Sequence, residues 1–141
     1  MSEIMLSTEE MQIITLASRI IKTDIIDCIN TEEMMIFVIR KGFLGIAIGP
    51  KAKNLDRLRN SFKKNIKFVE YDRDKEKFII NLFKPYKINN IIFDVVGDNT
   101  IAKVEVERRD KSKIIGKEGR NIEIIRNLAK RHHSLKDVQI S

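Results

Sequence analysis

From Ser7 to Lys22 the apolar residues Met11, Ile14, Leu16 and Ile20/Ile21 fall at helical spacing, and Ser7 with Glu10 three residues on forms a capping box at the start. Residues 24–30 and 34–40 are rich in Ile, Val, Phe and Cys and are parted by the polar run Asn30-Thr31-Glu32-Glu33, which predicts a β-hairpin. Gly42 to Ile48 is a short apolar segment of one or two helical turns. After Gly49-Pro50, the stretch Lys51 to Lys64 predicts an amphipathic helix with Leu55, Leu58 and Phe62 inward. Ile66 to Tyr71 then alternates as a strand. The order returns as helix 74–83, strands 90–96 and 100–107, short helix 110–115, helix 119–132 and a last strand 136–140.

This return is an internal repeat. A shift of 67 positions places Ile48-Gly49 on Ile115-Gly116, Asn54 on Asn121, Arg59-Asn60 on Arg126-Asn127 and Lys63 on Lys130. The same shift puts Asp27 on Asp94, and Met35, Phe37 and Ile39 on Ala102, Val104 and Val106, so one unbroken offset is expected from about residue 24 to residue 64. Two copies of an α-β-β-α-α-β module follow, residues 1–73 and 74–141, in the α+β class. Each copy is expected to form a three-stranded sheet with helices on one face. A module of about 67 residues buries only about 60% of its unfolded surface and is marginal alone. With no linker between the copies, they are expected to pack as one rigid unit.

Charge sharpens the picture. The 141 residues carry 27 Lys and Arg against 20 Asp and Glu, a net charge of +7. Lys51 to Lys67 holds seven basic residues and the single acid Asp56; Arg108 to Arg131 holds nine against Asp110, Glu118 and Glu123. Each block is +6, so the rest of the chain is mildly acidic, and the footprint suits a nucleic-acid partner. No signal peptide or membrane-spanning stretch is read, and a soluble cytoplasmic protein is expected. One cysteine, Cys28, excludes an internal disulfide framework and a Cys-rich zinc site.

The chemistry concentrates between the two helices of the second copy, at Ile115-Gly116-Lys117-Glu118-Gly119-Arg120-Asn121-Ile122. Two glycines three apart permit positive φ and remove side-chain bulk, so a sugar–phosphate backbone can approach the main chain. The next helix begins at or near Gly119 and aims its N–H groups and positive dipole end at the same spot, where Lys117 and Arg120 add charge. Ile114, Ile115, Ile122 and Ile125 are expected to form one apolar wall of a groove, with Val104 or Val106 opposite, narrow enough for unpaired bases. The first copy repeats the loop as Gly49-Pro50-Lys51-Ala52-Lys53-Asn54, with Ala52 in the place of the second glycine. Alanine is tolerable there if the residue is helical and costly if φ is positive. The first copy is therefore expected to bind more weakly, or to contact RNA through Lys51, Lys53 and Arg57.

Gly116-Lys117-Glu118-Gly119, preceded by Ile114-Ile115 and followed by an Asn-containing helix, resembles the GXXG loop of a KH domain, which clamps the backbone of about four nucleotides. Only a strand fits after the last long helix, so the arrangement is similar to the type II KH domain. Two such modules without a linker resemble the KH pair of the NusA family of transcription termination and antitermination factors, archaeal type. The resemblance implies single-stranded RNA as ligand, RNA polymerase as protein partner, and no enzymatic activity, cofactor or small-molecule substrate. Two other roles remain open at this stage: ribosome assembly or RNA processing, and a protein-interaction module whose basic blocks dock an acidic polymerase surface.

Other residues invite chemistry without supporting it. His132-His133 point about 100° apart on a helix, with no third metal ligand in register, and are expected at a surface helix end. Cys28 is expected to be a buried thiol, and Met1, Met5, Met11, Met34 and Met35 to fill the core. Asp27 and Asp94 are expected at turns or strand edges.

Overall fold

The computed structural model describes residues 6–141, which divide into two compact units, one ending at Asp72 and the other running Arg73–Ser141. The first unit contains α1 (Thr8–Ile21), β1 (Ile25–Asn30), β2 (Met34–Ile39), α2 (Leu44–Ile48), α3 (Lys53–Phe62) and β3 (Asn65–Glu70). The second contains α4 (Lys75–Phe83), β4 (Ile88–Val96), β5 (Asn99–Val106), α5 (Lys111–Ile115), α6 (Arg120–His133) and β6 (Asp137–Ile140). The predicted order of elements is therefore present twice.

Each unit has a three-stranded sheet, ordered β1-β2-β3 and β4-β5-β6. The central strand is antiparallel to its hairpin partner and parallel to the last strand. A parallel pair needs a crossover connection, and the two helices flanking the Gly-containing loop supply it. In the first unit Met35, Phe37 and Ile39 alternate into a core closed by Ile13, Ala17 and Ile21 of α1, Ala47 of α2 and Leu58 of α3. Leu55 and Phe62 pack against that core partly buried. In the second unit Ala102, Val104 and Val106 are buried while Lys103 and Glu105 between them are exposed, a strand covered on one face.

Helix ends follow their residues. The Ser7 side chain accepts from Glu10 N–H at 3.0 Å while Glu10 Oε1 accepts from Ser7 N–H at 3.1 Å, the predicted capping box. Asp74 caps α4 by accepting from Glu76 N–H. Cys28 and Met35 are buried as expected, but Met11 is 49% exposed, because it lies on the side of α1 opposite Ile13, Ala17 and Ile21. Met1 and Met5 lie outside the described residues. His132 and His133 sit half-buried with ring centroids 5.5 and 5.2 Å from Phe78 of α4.

The repeat is less regular than one offset. Asn30 pairs with Met35 in the first hairpin, and Phe93 with Ala102 in the second, so Phe93 is the counterpart of Asn30. Asp94, Val95 and Val96 then continue the ladder to Ile101, Thr100 and Asn99, past the point where the first hairpin has turned. The ladder of the second hairpin thus runs three pairs further. Asp27, opposite Val38, corresponds to Asn90, opposite Glu105, and the expected equivalence of Asp27 with Asp94 is corrected. Asp27 is buried with Oδ1 accepting from Cys28 N–H, whereas Asp94 pairs with Lys103 across the strands at 3.2 Å. The offset of 67 holds from β2 through the loop, and fails again after α6, which has 14 residues against 10 in α3.

Candidate nucleic-acid interface

Both loops are built alike. α2 ends at Gly49 (φ 79°, ψ 166°) and α5 at Gly116 (φ 78°, ψ 172°), and their N–H groups donate to Gly45 and Ser112 carbonyls at 3.0 and 2.9 Å. One tight turn follows, closed by Ala52 N–H to the Gly49 carbonyl and Gly119 N–H to the Gly116 carbonyl, each 3.1 Å. Inside it the backbone is left-handed at Lys51 (φ 53°) and Ala52 (φ 58°), and likewise at Glu118 (φ 57°) and Gly119 (φ 73°). α3 and α6 then begin at Lys53 and Arg120 with no side-chain cap, in contrast to α1 and α4. The N–H groups of Lys53 and Arg120 donate to the Pro50 and Lys117 carbonyls, and the next N–H groups and the positive dipole ends of α3 and α6 open onto the loop, where an anion can satisfy them.

The first glycine of each loop answers to a neighbouring asparagine. Asn54 Nδ2 donates to the Ile46 carbonyl and Asn121 Nδ2 to the Lys113 carbonyl, both at 3.2 Å, tying the long helix to the short one. A Cβ on Gly49 would lie 2.9 Å from Asn54 Cγ, and one on Gly116 2.8 Å from Asn121 Cγ. The amide occupies the space a side chain would need. Asn54 and Asn121 thus hold the loop in shape through their amide nitrogens. Around Gly119 the nearest atom to a Cβ is Ile122 Cγ2 at 3.9 Å, so its requirement is conformational alone.

The charges differ between the loops. Lys117 is exposed and has no ion pair among the described residues. Arg120 is also exposed, with its guanidinium 3.2 Å from Glu118 Oε2, so part of its charge is already answered. Glu118 points outward beside it. In the first loop Pro50, Lys51, Lys53 and Arg57 are exposed and no carboxylate lies between Gly49 and Asn54. A groove of about 530 Å³ opens beside this loop, lined by Lys22 at the end of α1, Ile46 of α2, Pro50, Lys53 and Arg57.

The expected isoleucine wall is corrected. Ile114, Ile122 and Ile125 are 2%, 4% and 6% exposed, and Val104 and Val106 are buried with them. Helical and strand periodicity placed them on common faces, but those faces are the core. Ile115 alone of that set is half-exposed, like its counterpart Ile48. Lys22 and Ile46 escaped sequence reasoning. The available signal was Ile46 itself, an apolar residue where the repeat carries Lys113.

Among the described residues no group of His, Cys, Asp and Glu is arranged to hold a metal ion, and no helix is long and apolar enough to cross a membrane. The sheet topology and the glycine loop between two helices, twice over, define a tandem KH-domain protein. The NusA-like second KH domain family matches residues 75–140, and the KH domain family residues 12–90. Curated relatives carry the name "Probable transcription termination protein NusA". That of Methanococcus vannielii is 30% identical over 137 residues, covering 97% of this chain and 79% of its own. That of Halobacterium salinarum is 30% identical over 138 residues, covering 98% and 99%. That of Methanocaldococcus jannaschii is 28% identical over 140 residues, covering 99% and 76%. The crystal structure of APE1850 is similar with a TM-score of 0.79 at 30% identity, covering 96% of this chain and 100% of that one. The chain belongs to the NusA family of KH-domain proteins.

Proposed function

We propose that the chain is a single-stranded RNA-binding factor that acts on nascent transcripts beside RNA polymerase in termination or antitermination, without a catalytic step of its own. The reading rests above all on two loops with one backbone shape, each opening an uncapped helix start toward a cationic surface. The NusA-named archaeal relatives support the transcriptional setting, and a cytoplasmic location is part of the same reading. In this reading phosphates sit against the Gly116–Gly119 and Gly49–Ala52 main chain. Lys117 and Arg120, and Lys51 and Lys53, neutralise them.

Titration with short single-stranded RNA tests the reading. Affinity is expected to fall by about 0.7 log units per tenfold salt for each phosphate neutralised. Lys117→Asp with Glu118→Asp is expected to abolish binding at the second loop with the melting temperature unchanged, since both side chains are exposed. Pro50→Asp with Lys51→Asp reports on the first. RNA affinity indifferent to both pairs, with polymerase binding retained, would move the function to protein docking.

A further inference from the structure

We propose that the free edge of β4 pairs with β4 of a second copy of this chain, joining the two sheets into one across a two-fold axis at Ile92. The inference is independent of the RNA-binding reading. β4 lies at the outside of the order β4-β5-β6 and, with nine residues, is the longest strand among the described residues. Its only hydrogen-bonded neighbour there is β5, so the backbone groups on its other side meet no donor or acceptor of the chain. Of the seven large apolar side chains left exposed among the described residues, three belong to this one strand: Ile92 at 55%, Val95 at 67% and Val96 at 60%. The core does not call for them, since Ala102 is the buried residue of β5 nearest the turn and Val95 and Val96 lie beyond it. β1, the corresponding edge in the first unit, is instead covered, with Ile25, Asp27, Cys28 and Ile29 buried.

A free edge of this kind is a template for another strand, and single-copy proteins blunt theirs with lysine, proline or short strands. β4 has none of these devices. Asp94 is its single charge, and Lys103 already answers it at 3.2 Å. Lys75 of α4 stands 5.2 Å from the Phe93 ring centroid on the helix-covered face, while the edge and the opposite face stay open. The strand is also self-complementary. Antiparallel pairing centred on Ile92 sets Ile92 against Ile92, Ile91 against Phe93 and Asn90 against Asp94. Every apolar residue of that stretch then meets an apolar one, and each carboxylate meets an amide that can donate to it. Centring on Ile91 or Phe93 would set Ile92 against Asn90 or Asp94, and centring on Asp94 would oppose two carboxylates. The residues therefore select one register and one partner, this chain itself.

Sedimentation velocity of the full chain tests the pairing. The contact is small, so the shift from one copy to two is expected at roughly 100 µM protein. Two chains of net charge +7 repel, so raising salt is expected to favour the pair, the reverse of its effect on RNA binding. Ile92→Glu sets two carboxylates face to face at the axis and is expected to weaken pairing roughly tenfold, whereas Ile92→Val is expected to keep it. Unchanged melting of the dilute variants certifies the fold. Ile92→Cys is expected to form a disulfide between copies under mild oxidation, with native Cys28 buried and out of reach. Asn90→Cys is expected to form none, because its own counterpart lies four residues along the joined ladder. A chain that sediments as one copy up to about 1 mM overturns the proposal and leaves the edge to a strand of another protein. Pairing that survives Ile92→Glu, or equal disulfide formation at positions 90 and 92, overturns it as well.

Discussion

Ala52 and Gly119 occupy the same backbone station in two loops of nearly one shape, yet they meet different physical demands. Both have left-handed φ, 58° and 73°. A β-carbon at that conformation costs roughly 1–2 kcal/mol, and the first unit carries the cost because nothing nearby forbids the methyl group. The other glycine of the loop has no such freedom. Gly49 and Gly116 face an asparagine amide that a β-carbon would overlap. The two glycines of the motif are therefore held by different forces, one steric and one conformational, and only the conformational one has been traded away. The electrostatics run the other way: the loop with the strained alanine has no acid, while the loop with both glycines carries Glu118 against Arg120.

The contrast breaks most readily at the glycines. Gly116→Ala is expected to destabilise the second unit by about 3 kcal/mol, combining left-handed strain with the clash on Asn121. Gly119→Ala is expected to cost only about 1 kcal/mol. Urea unfolding of the two variants measures the difference, and equal costs would remove the distinction. Glu118→Lys, which copies Lys51 into the second loop, is expected to tighten RNA binding roughly tenfold at low salt and to steepen the salt dependence by about 0.7. No change there would mean that Glu118 leaves Arg120 free to act. Ala52→Gly is expected to stabilise the first unit by about 0.5 kcal/mol, since relief of strain is partly offset by the looser unfolded chain.

The smallest effect concerns the sheets. Lys67, opposite Ile36 on β3, has its pKa lowered by burial, while Gln139, at the same register position opposite Lys103, is exposed. The folded protein therefore sheds this proton at lower pH than the unfolded chain. Stability is reduced by a constant amount below the folded pKa and recovers as pH rises from there toward the ordinary lysine value. Melting followed from pH 7 to 10 is expected to show that rise in the native chain and to lose it in Lys67→Met, with Gln139→Met as the inert comparison.

Most of the fold was legible because its signals are local. The capping box at Ser7, the polar break after Asn30 and the glycines after Ile48 and Ile115 each mark an element end by their own chemistry. The turn of the second hairpin was legible to within a residue, strands 90–96 and 100–107 against β4 ending at Val96 and β5 beginning at Asn99, but the shift in the repeat across it was not, because Asp94 supplied a chance match to Asp27. At the site, the loop, its cations and the uncapped helix starts could be read from residue types. Periodicity could gather Ile114, Ile122 and Ile125 on one face, but it carries no information on whether that face meets solvent or sheet. The buttressing role of Asn54 and Asn121 was hidden too, because their bonds reach back eight residues to a carbonyl whose position only the turn defines.

The missing caps on α3 and α6 make the order of those helix ends conditional on occupancy. Backbone amides at residues 54–55 and 121–122 would exchange with solvent deuterium readily in the empty protein and slow once phosphate closes the gap. The amides behind Ser7 and Asp74 would stay slow throughout. The protein thus carries its own readout of which mouth is full.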